Sequence, residues 1–334
     1  MTQSISHEPP RPQDFNIVFF EVFDEERRLL EQEVDPSWDV SYVSETIQES
    51  PWADTLPPAP VVCIRTQSVV PPSWDAHLKA CLARSTGYDH LASLMRRAPH
   101  VAVGCLPEYC SQAVAEHAVL LLWALLRKLP RAIKQARTFE RHGLTGRQWQ
   151  GLKVLVAGVG RIGSRVVDVV RALGADCRGV DLVERRQDLP YTTLAEGLVW
   201  ADACVVCMDL NDRSRGLFTK PVYEAWGRNR YLVNVGRGEI TPFEDLAWAL
   251  EQGFLAGVGL DVYENEAEWA RCVRACGPQG LPAAYRSWFD DERVILTPHN
   301  AFNTQEALIQ KVRLTVEALR CYLASGRFEE PRPA

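Results

Sequence analysis

Residues 151–181 read GLKVLVAGVGRIGSRVVDVVRALGADCRGVD, and this stretch decides the fold. The apolar run 154–157 predicts a short buried strand. It passes straight into Gly158-Val159-Gly160-Arg161-Ile162-Gly163 and then into a segment of helical period through Leu173. A second short strand closes at Asp181, eighteen residues beyond Gly163. Strand, glycine turn, helix, strand and acid in that order make a dinucleotide site. Gly158 permits the tight turn, Gly160 lets the backbone approach a pyrophosphate, and Gly163 lets the helix pack close to the strand. The helix N-terminus then faces the phosphate charge. Asp181 would accept hydrogen bonds from ribose hydroxyls and repel a 2′-phosphate, which favours NAD over NADP as cofactor. Arg185 and Arg186 stand nearby and read as solvated surface charge.

Length and composition set the frame. A chain of 334 residues suggests roughly two domains and can bury a core without disulfides. The net charge is −6, with no basic block, so neither nucleic acid nor an anionic membrane is an expected partner. The N-terminal stretch MTQSISHEPPRPQDF has no apolar signal core. The longest apolar run, residues 118–126, is too short to span a bilayer. Ten cysteines in such a chain point to a reducing cytoplasm. Cys204 and Cys207 form the one CxxC pair, but in a strand they face opposite sides, and nothing completes a zinc set. No metal is expected.

Working outward, residues 16–20, 61–64 and 101–103 read as strands of a first domain. A long apolar helix spans 112–128 and is ended by Leu129-Pro130. It reads as a core or subunit-interface helix, with Glu116 and His117 as satisfied core polar groups. After the glycine turn come strands at 203–207, 230–235, 257–262 and 293–297. With 154–157 and 177–181 they make six strands separated by mostly helical segments, a parallel doubly wound α/β sheet. A final amphipathic helix runs from Thr304 to about Ala324 with no strand after it, so it is expected to pack back on the first domain.

In such a sheet ligands bind at the carboxyl ends of the strands. After strand 230–235 comes Gly236-Arg237-Gly238. Strand 257–262 ends at Asp261, with Glu264 and Glu266 just beyond. After 293–297 comes Pro298-His299-Asn300. An arginine, acids and a histidine therefore converge on the nucleotide edge. Hydride transfer to a 2-oxo acid needs this set. A guanidinium fork suits a carboxylate. A histidine can protonate the carbonyl oxygen, a contribution of roughly 10²–10⁴-fold. A carboxylate beside the histidine orients it and favours its charged form. Spacing alone does not separate Glu264 from Glu266.

At these residues the sequence resembles the D-2-hydroxyacid dehydrogenases, most closely the fermentative D-lactate dehydrogenase branch, from about Asn16 to Ala324. The stretches that carry the resemblance are ARSTGYDH (83–90), EYCSQAVAEHA (108–118), VNVGRG (233–238), GLDVYENE (259–266) and TPHNAF (297–302). The resemblance implies two Rossmann-like doubly wound parallel-sheet domains. Residues 1–108 and 302–334 would form the substrate domain, and the NAD-binding domain, 109–301, would be inserted between its halves. The cleft between them would hold the active site, and the helix at 112–128 would support a homodimer. Arg237 is implied to bind the carboxylate and polarise the carbonyl, His299 to be the acid/base, and Glu266 rather than Glu264 to be its partner. The coenzyme would lie against Gly158, Gly160, Arg161, Ile162, Gly163, Asp181 and Val235, with Asp261 at the nicotinamide carboxamide. Substrate would meet the backbone of Thr86 and Gly87, and the side chains of Tyr109 and Phe302.

Three departures bear on this. Asp209 and Pro242 stand where the family often has proline and aspartate, respectively. Arg65, in the loop after strand 61–64, resembles an arginine of phosphoglycerate dehydrogenases, and implies that it meets a second anionic group on a substrate more charged than pyruvate, such as a phosphonate-bearing oxo acid. Similar proteins oxidise phosphite, but they carry lysine where this chain has Thr86. Others of the same fold act as nucleotide-sensing co-repressors, for which this acidic chain offers no peptide-docking extension.

Overall fold

The computed structural model describes residues 16–106 and 108–329. The chain divides into two compact units. One runs up to Cys110 and resumes at Thr304, and the other is Ser111–Asn303.

The first unit is built on five parallel strands: β1 Ile17–Phe19, β2 Val40–Tyr42, β3 Val61–Ile64, β4 Ala80–Ala83 and β5 Ala102–Cys105. Their spatial order is β2-β1-β3-β4-β5, a doubly wound sheet. Every side chain of β1, β3 and β4 is buried, as expected of strands covered on both faces. β2 and β4 carry little strand signal in their residues. Neither alternates cleanly, and ACLA in β4 lacks the β-branched residues that mark a strand. The helix Gln305–Ser325 belongs to this unit and packs against the helix Asp24–Glu33. Thr304 caps it by accepting the amide of Ala307 at 3.2 Å. Its buried face follows Leu308, Val312, Val316 and Leu319, the helical repeat of the sequence.

The second unit carries six parallel strands: β6 Lys153–Ala157, β7 Asp176–Val180, β8 Ala203–Val206, β9 Arg230–Asn234, β10 Leu255–Leu260 and β11 Val294–Leu296. Their order is β7-β6-β8-β9-β10-β11, and a bridge from Gly179 to Tyr191 extends the β7 edge. The direction of winding reverses between β6 and β8, the crevice where such sheets take ligands. The helix Ser111–Leu126 lies close over β10 because the strand offers glycines there. A Cβ at Gly259 would stand 3.0 Å from the Cβ of Leu121.

The long apolar helix ends at Leu126, just before Leu129-Pro130, as expected; Pro130 then sits in the first turn of a new helix, Leu129–Gln135, entered through Lys128 in the left-handed region at φ 51°. Proline is at home there because the amide it lacks has no partner in a first helical turn. Glu116 is exposed rather than a core group, and accepts Gln112 Nε2 at 2.7 Å one turn away. Among the described residues no helix is long and apolar enough to cross a membrane.

Candidate active site

The carboxyl edge of the second sheet is assembled by short polar ties. β10 ends at Leu260, and Asp261 follows, 1% exposed. Its Oδ1 accepts the hydroxyl of Thr297 at 2.6 Å and the amide of Asn300 at 2.8 Å, while Oδ2 accepts the amide of Ala301 at 2.9 Å. The loop that follows β11 is thus pinned on both sides of His299. His299 itself sits at φ 49°, a left-handed conformation that a β-substituted residue holds only under constraint from its surroundings.

The ring so placed meets a carboxylate: His299 Nδ1 lies 2.6 Å from Glu266 Oε1. An ionised carboxylate can only accept, so Nδ1 carries the proton and Nε2 is left to face a reactant. Glu266 is the first residue of the helix Glu266–Cys276, entered through Asn265 at φ 54°. Negative charge is favoured at that end of a helix dipole. Glu264 goes elsewhere, accepting the amide of Phe243 at 3.1 Å.

Arg237 stands on the turn after β9. The buried Asn234 forms that turn: its Nδ2 donates to the Arg237 carbonyl at 2.9 Å and to Thr241 Oγ1 at 2.8 Å, and its Oδ1 accepts the amide of Gly236 at 2.9 Å. Gly238 is required because any Cβ would overlap the backbone of Tyr263. That close approach sets the arginine turn directly against the segment leading to Glu266.

Behind the histidine loop, His117 Nε2 lies 3.0 Å from Thr297 Oγ1 and 3.6 Å from Asp261 Oδ1. The threonine hydroxyl gives its one proton to Asp261, so it accepts from His117, whose Nε2 must be protonated. His117, Asn234, Asn265 and Thr297 were not singled out as supports by sequence reasoning. Asn234 and Thr297 carried a signal as polar residues at the ends of apolar strands, and His117 as a polar break within an apolar helix; Asn265 carried none.

The glycine turn lies on the same sheet edge. Gly158 has φ 90°, and a Cβ there would press on the Cys207–Met208 backbone at 2.7 Å. A Cβ on Gly163 would overlap the Gly158 carbonyl. Over Gly160, by contrast, the nearest group to a Cβ would be the Arg185 guanidinium at 4.0 Å, so the backbone is open to approach. No side chain caps the helix Arg161–Ala172 that begins there.

Comparison with known proteins agrees. A family model described as the NAD binding domain of D-isomer specific 2-hydroxyacid dehydrogenases matches residues 119–301. The chain belongs to that family. It is an NAD-dependent oxidoreductase of 2-hydroxy acids. It is 28% identical over 263 residues to a glyoxylate/hydroxypyruvate reductase of Arabidopsis thaliana, covering 76% of each protein. It is 26% identical over 259 residues to a D-lactate dehydrogenase of Lactiplantibacillus plantarum, covering 76% of this chain and 78% of that one. The fold is shared with a crystal structure of D-lactate dehydrogenase from Aquifex aeolicus complexed with NAD and lactic acid, at a TM-score of 0.82 and 22% identity over 95% of this chain and all of that one.

The residues of this dehydrogenase fit NAD. The bare Gly160 backbone and the uncapped helix suit a pyrophosphate. Asp181 holds the turn itself, since its Oδ2 accepts the amide of Val159 at 2.7 Å and its Oδ1 that of Val183 at 3.0 Å. A carboxylate oxygen has two lone pairs, so ribose hydroxyls can still be accepted. Arg186 is not a solvated charge. It is clamped by Asp168 at 2.6 Å and Asp188 at 2.7 Å, and its guanidinium holds the Asp188 carboxyl down at about 2. Arg161 is exposed and Ile162 half-buried at the helix start, while Val235 is buried beyond β9.

The remaining candidates lie in the first unit, apart from Phe302, which is buried in the second. Thr86 and Gly87 are half-buried in the turn after β4, where Ser85 Oγ donates to the Gly87 carbonyl at 2.8 Å. Tyr109 is 9% exposed, and burial pushes its phenol well above the usual range. Arg65 stacks over Phe23, with its guanidinium carbon 5.4 Å from the ring centre.

Proposed function

We propose that this dehydrogenase works mainly as a 2-oxo acid reductase, with Arg237 binding the substrate carboxylate, His299 as general acid/base and Glu266 orienting it. The observation that carries the reading is the 2.6 Å contact between His299 Nδ1 and Glu266 on the sheet edge that also bears the glycine turn. NAD, when bound, supplies or takes the hydride. In reduction, charged His299 gives the Nε2 proton to the carbonyl oxygen, while Glu266 steadies the ring through Nδ1. In oxidation, neutral His299 takes the hydroxyl proton at the same Nε2. Arg237 holds the carboxylate and draws electron density from the neighbouring carbonyl. Asp261 acts here chiefly through the loop it pins; a nicotinamide amide would have to share its already engaged oxygens. NAD would be held by Gly158, Gly160, Arg161, Ile162, Gly163, Asp181 and Val235.

The second unit would serve as the NAD-binding domain and the first as the substrate domain. Thr86 and Gly87 would present backbone amides to the carboxylate, and Tyr109 and Phe302 would shape the substrate's side-chain region. The substrate would be D-lactate-like, or a more anionic oxo acid that engages Arg65. Leu120, Trp123, Leu129 and Ile133 on two adjoining helices, with Phe139 in the turn that follows, leave large apolar surface exposed, which supports a homodimer. Ten free cysteines support a reducing, cytoplasmic setting.

The test is consumption of NADH and NADPH by the purified chain with pyruvate, hydroxypyruvate, oxaloacetate, a branched 2-oxo acid and phosphonopyruvate. Turnover with NADH that disappears in His299→Ala is expected. Tight NADH binding with no turnover of any oxo acid would overturn the reading and favour phosphite oxidation or a sensing role.

A further inference from the structure

Arg237, Glu266 and His299 reach the sheet edge on three separate loops, and one residue meets all three: Tyr263, two positions beyond Asp261. Its backbone runs so close to Gly238 that no Cβ fits there, which sets it against the Arg237 turn. Its ring stacks on Trp269, with centroids 4.6 Å apart and planes 11° from parallel. Its hydroxyl donates to the Thr297 carbonyl at 2.7 Å.

That carbonyl also accepts the amide of His299, at 2.9 Å. A carbonyl oxygen has two lone pairs; here one closes the histidine's own turn and the other takes the tyrosine. The turn is the one that leaves His299 at φ 49°. Asp261 holds the far side of the loop through Asn300 and Ala301, and it takes the Thr297 hydroxyl as well. The carbonyl of Thr297, on the near side, is left to Tyr263.

The stack on Trp269 matters because of the helix it belongs to. None of the eleven residues of Glu266–Cys276 is buried, so no apolar underside fixes this helix. Trp269 lies one turn beyond Glu266, and its amide donates to the Asn265 carbonyl at 3.1 Å. Its ring sits against Tyr263 on one side and meets Tyr285 edge-on at 4.9 Å. Tyr285 stacks in turn on Phe243 at 3.5 Å. Aromatic pairs prefer definite offsets, so these contacts set the direction of the helix as well as its distance.

Phenylalanine would serve the stack alone; what the hydroxyl adds is the link from the glutamate's helix to the histidine's turn. The phenol acts as a fixed donor. Burial, reinforced by the negative charges of Asp261 and Glu266, pushes its ionisation far above the ordinary range, so it holds its proton rather than passing it on.

We propose that Tyr263 is a positioning residue of the reaction: its hydroxyl fixes the His299 turn and its ring fixes the start of the Glu266 helix, so that the 2.6 Å contact between the two side chains is preformed. This rests on the reading of Arg237, Glu266 and His299 as the reacting set.

The experiment measures kcat, KM for a 2-oxo acid and the NADH dissociation constant for the full chain, Tyr263→Phe, Trp269→Leu and Trp269→Phe. Tyr263→Phe keeps the stack and loses only the hydrogen bond. Its kcat is expected to fall about tenfold, while KM and the NADH dissociation constant stay within about twofold. Its melting temperature is expected to stay within about 4 °C. Trp269→Leu keeps the hydroxyl and should lose kcat in the same selective way, and Trp269→Phe, which returns a ring to the stack, should recover most of it. In a Glu266→Gln background, Tyr263→Phe should cost less than about threefold, because the pair it positions is already impaired. An unchanged kcat in Tyr263→Phe or in Trp269→Leu would overturn the proposal and leave the reductase standing. So would the same tenfold loss in both backgrounds, or equal falls in kcat and NADH binding, which general loosening of the fold would give. Silence of the unaltered chain on every 2-oxo acid would overturn the reductase reading itself, and the proposal with it.

Discussion

The carboxylate of Asp261 and the backbone amide of Asn300 meet at 2.8 Å, across the ends of two neighbouring strands. With the parallel contact to Ala301, this holds His299 in a backbone conformation it would not otherwise adopt. Asp261→Asn would keep one acceptor but aim an amide donor at a backbone N–H. Steady-state kinetics with NADH should show kcat reduced by about 10–100-fold with a smaller change in KM, because geometry rather than binding is lost. Unchanged kcat would deny Asp261 its positioning role.

His299 and Glu266 form a second unit of prediction. His299→Ala should lower kcat/KM by roughly 10²–10⁴-fold. Glu266→Gln keeps an acceptor for Nδ1 but removes the charge, and its kcat should fall by about 10-fold or more. If Glu266→Gln matched the unaltered chain while Glu264→Gln did not, the partner would be misassigned.

Gly163→Ala tests the glycine turn. The added methyl would overlap the Gly158 carbonyl, which cannot yield without moving β6 away from the helix Arg161–Ala172. NADH binding, followed by fluorescence, should weaken by about tenfold or more, with a stability loss of about 1–3 kcal/mol from overpacking. Gly160→Ala meets no such obstacle in the chain itself. It should fold normally and still bind NADH more weakly.

In the first unit Glu26, fully buried, is shared by Arg84 Nη1 and by Lys311 Nζ, the latter at 2.7 Å, and these buried charges give stability a particular dependence on pH. The Lys311 ammonium is lowered from 10.5 to about 7, so between those values the unfolded chain binds the extra proton. Stability from this group is present above about pH 10, and is lost as pH falls through about 7. Glu26 is lowered from 4.5 to about 2, burial being outweighed by Arg84, Lys311 and Arg65. Its contribution is present above 4.5 and is lost as pH falls through about 2. Denaturant melts should therefore show stability rising from pH 7 to pH 10 relative to Lys311→Met. A parallel pair of curves over that window would contradict the assignment.

Much of this was legible from residues alone. The glycine turn announces itself because only glycine tolerates φ 90° at position 158 and a bare backbone at 160. Arg237 and His299 could be picked out because each follows a strand whose apolar run is unmistakable. Glu264 and Glu266 could not be separated by spacing, since the answer depends on Asn265 turning through φ 54° to start a helix. β4 escaped notice because ACLA, buried on both faces, has no alternation to read. Lys311 escaped because it occupies an apolar stripe of an amphipathic helix, and a lone lysine there looks like a break in the pattern. Only the distant Glu26 and Arg84 give it a meaning.

The helix Gln305–Ser325 has a consequence for how the protein is made. It completes a unit whose sheet was synthesised much earlier, with all of Ser111–Asn303 emerging in between. At roughly 5–20 residues per second, the early half waits on the order of ten seconds or more before Lys311 can reach Glu26. During that interval the later-starting unit can finish folding, while Glu26 and Arg84 sit in an incomplete core. A nascent chain arrested just before Thr304 would expose the apolar surface that Leu308, Val312, Val316 and Leu319 normally cover, and would be a natural client for chaperones.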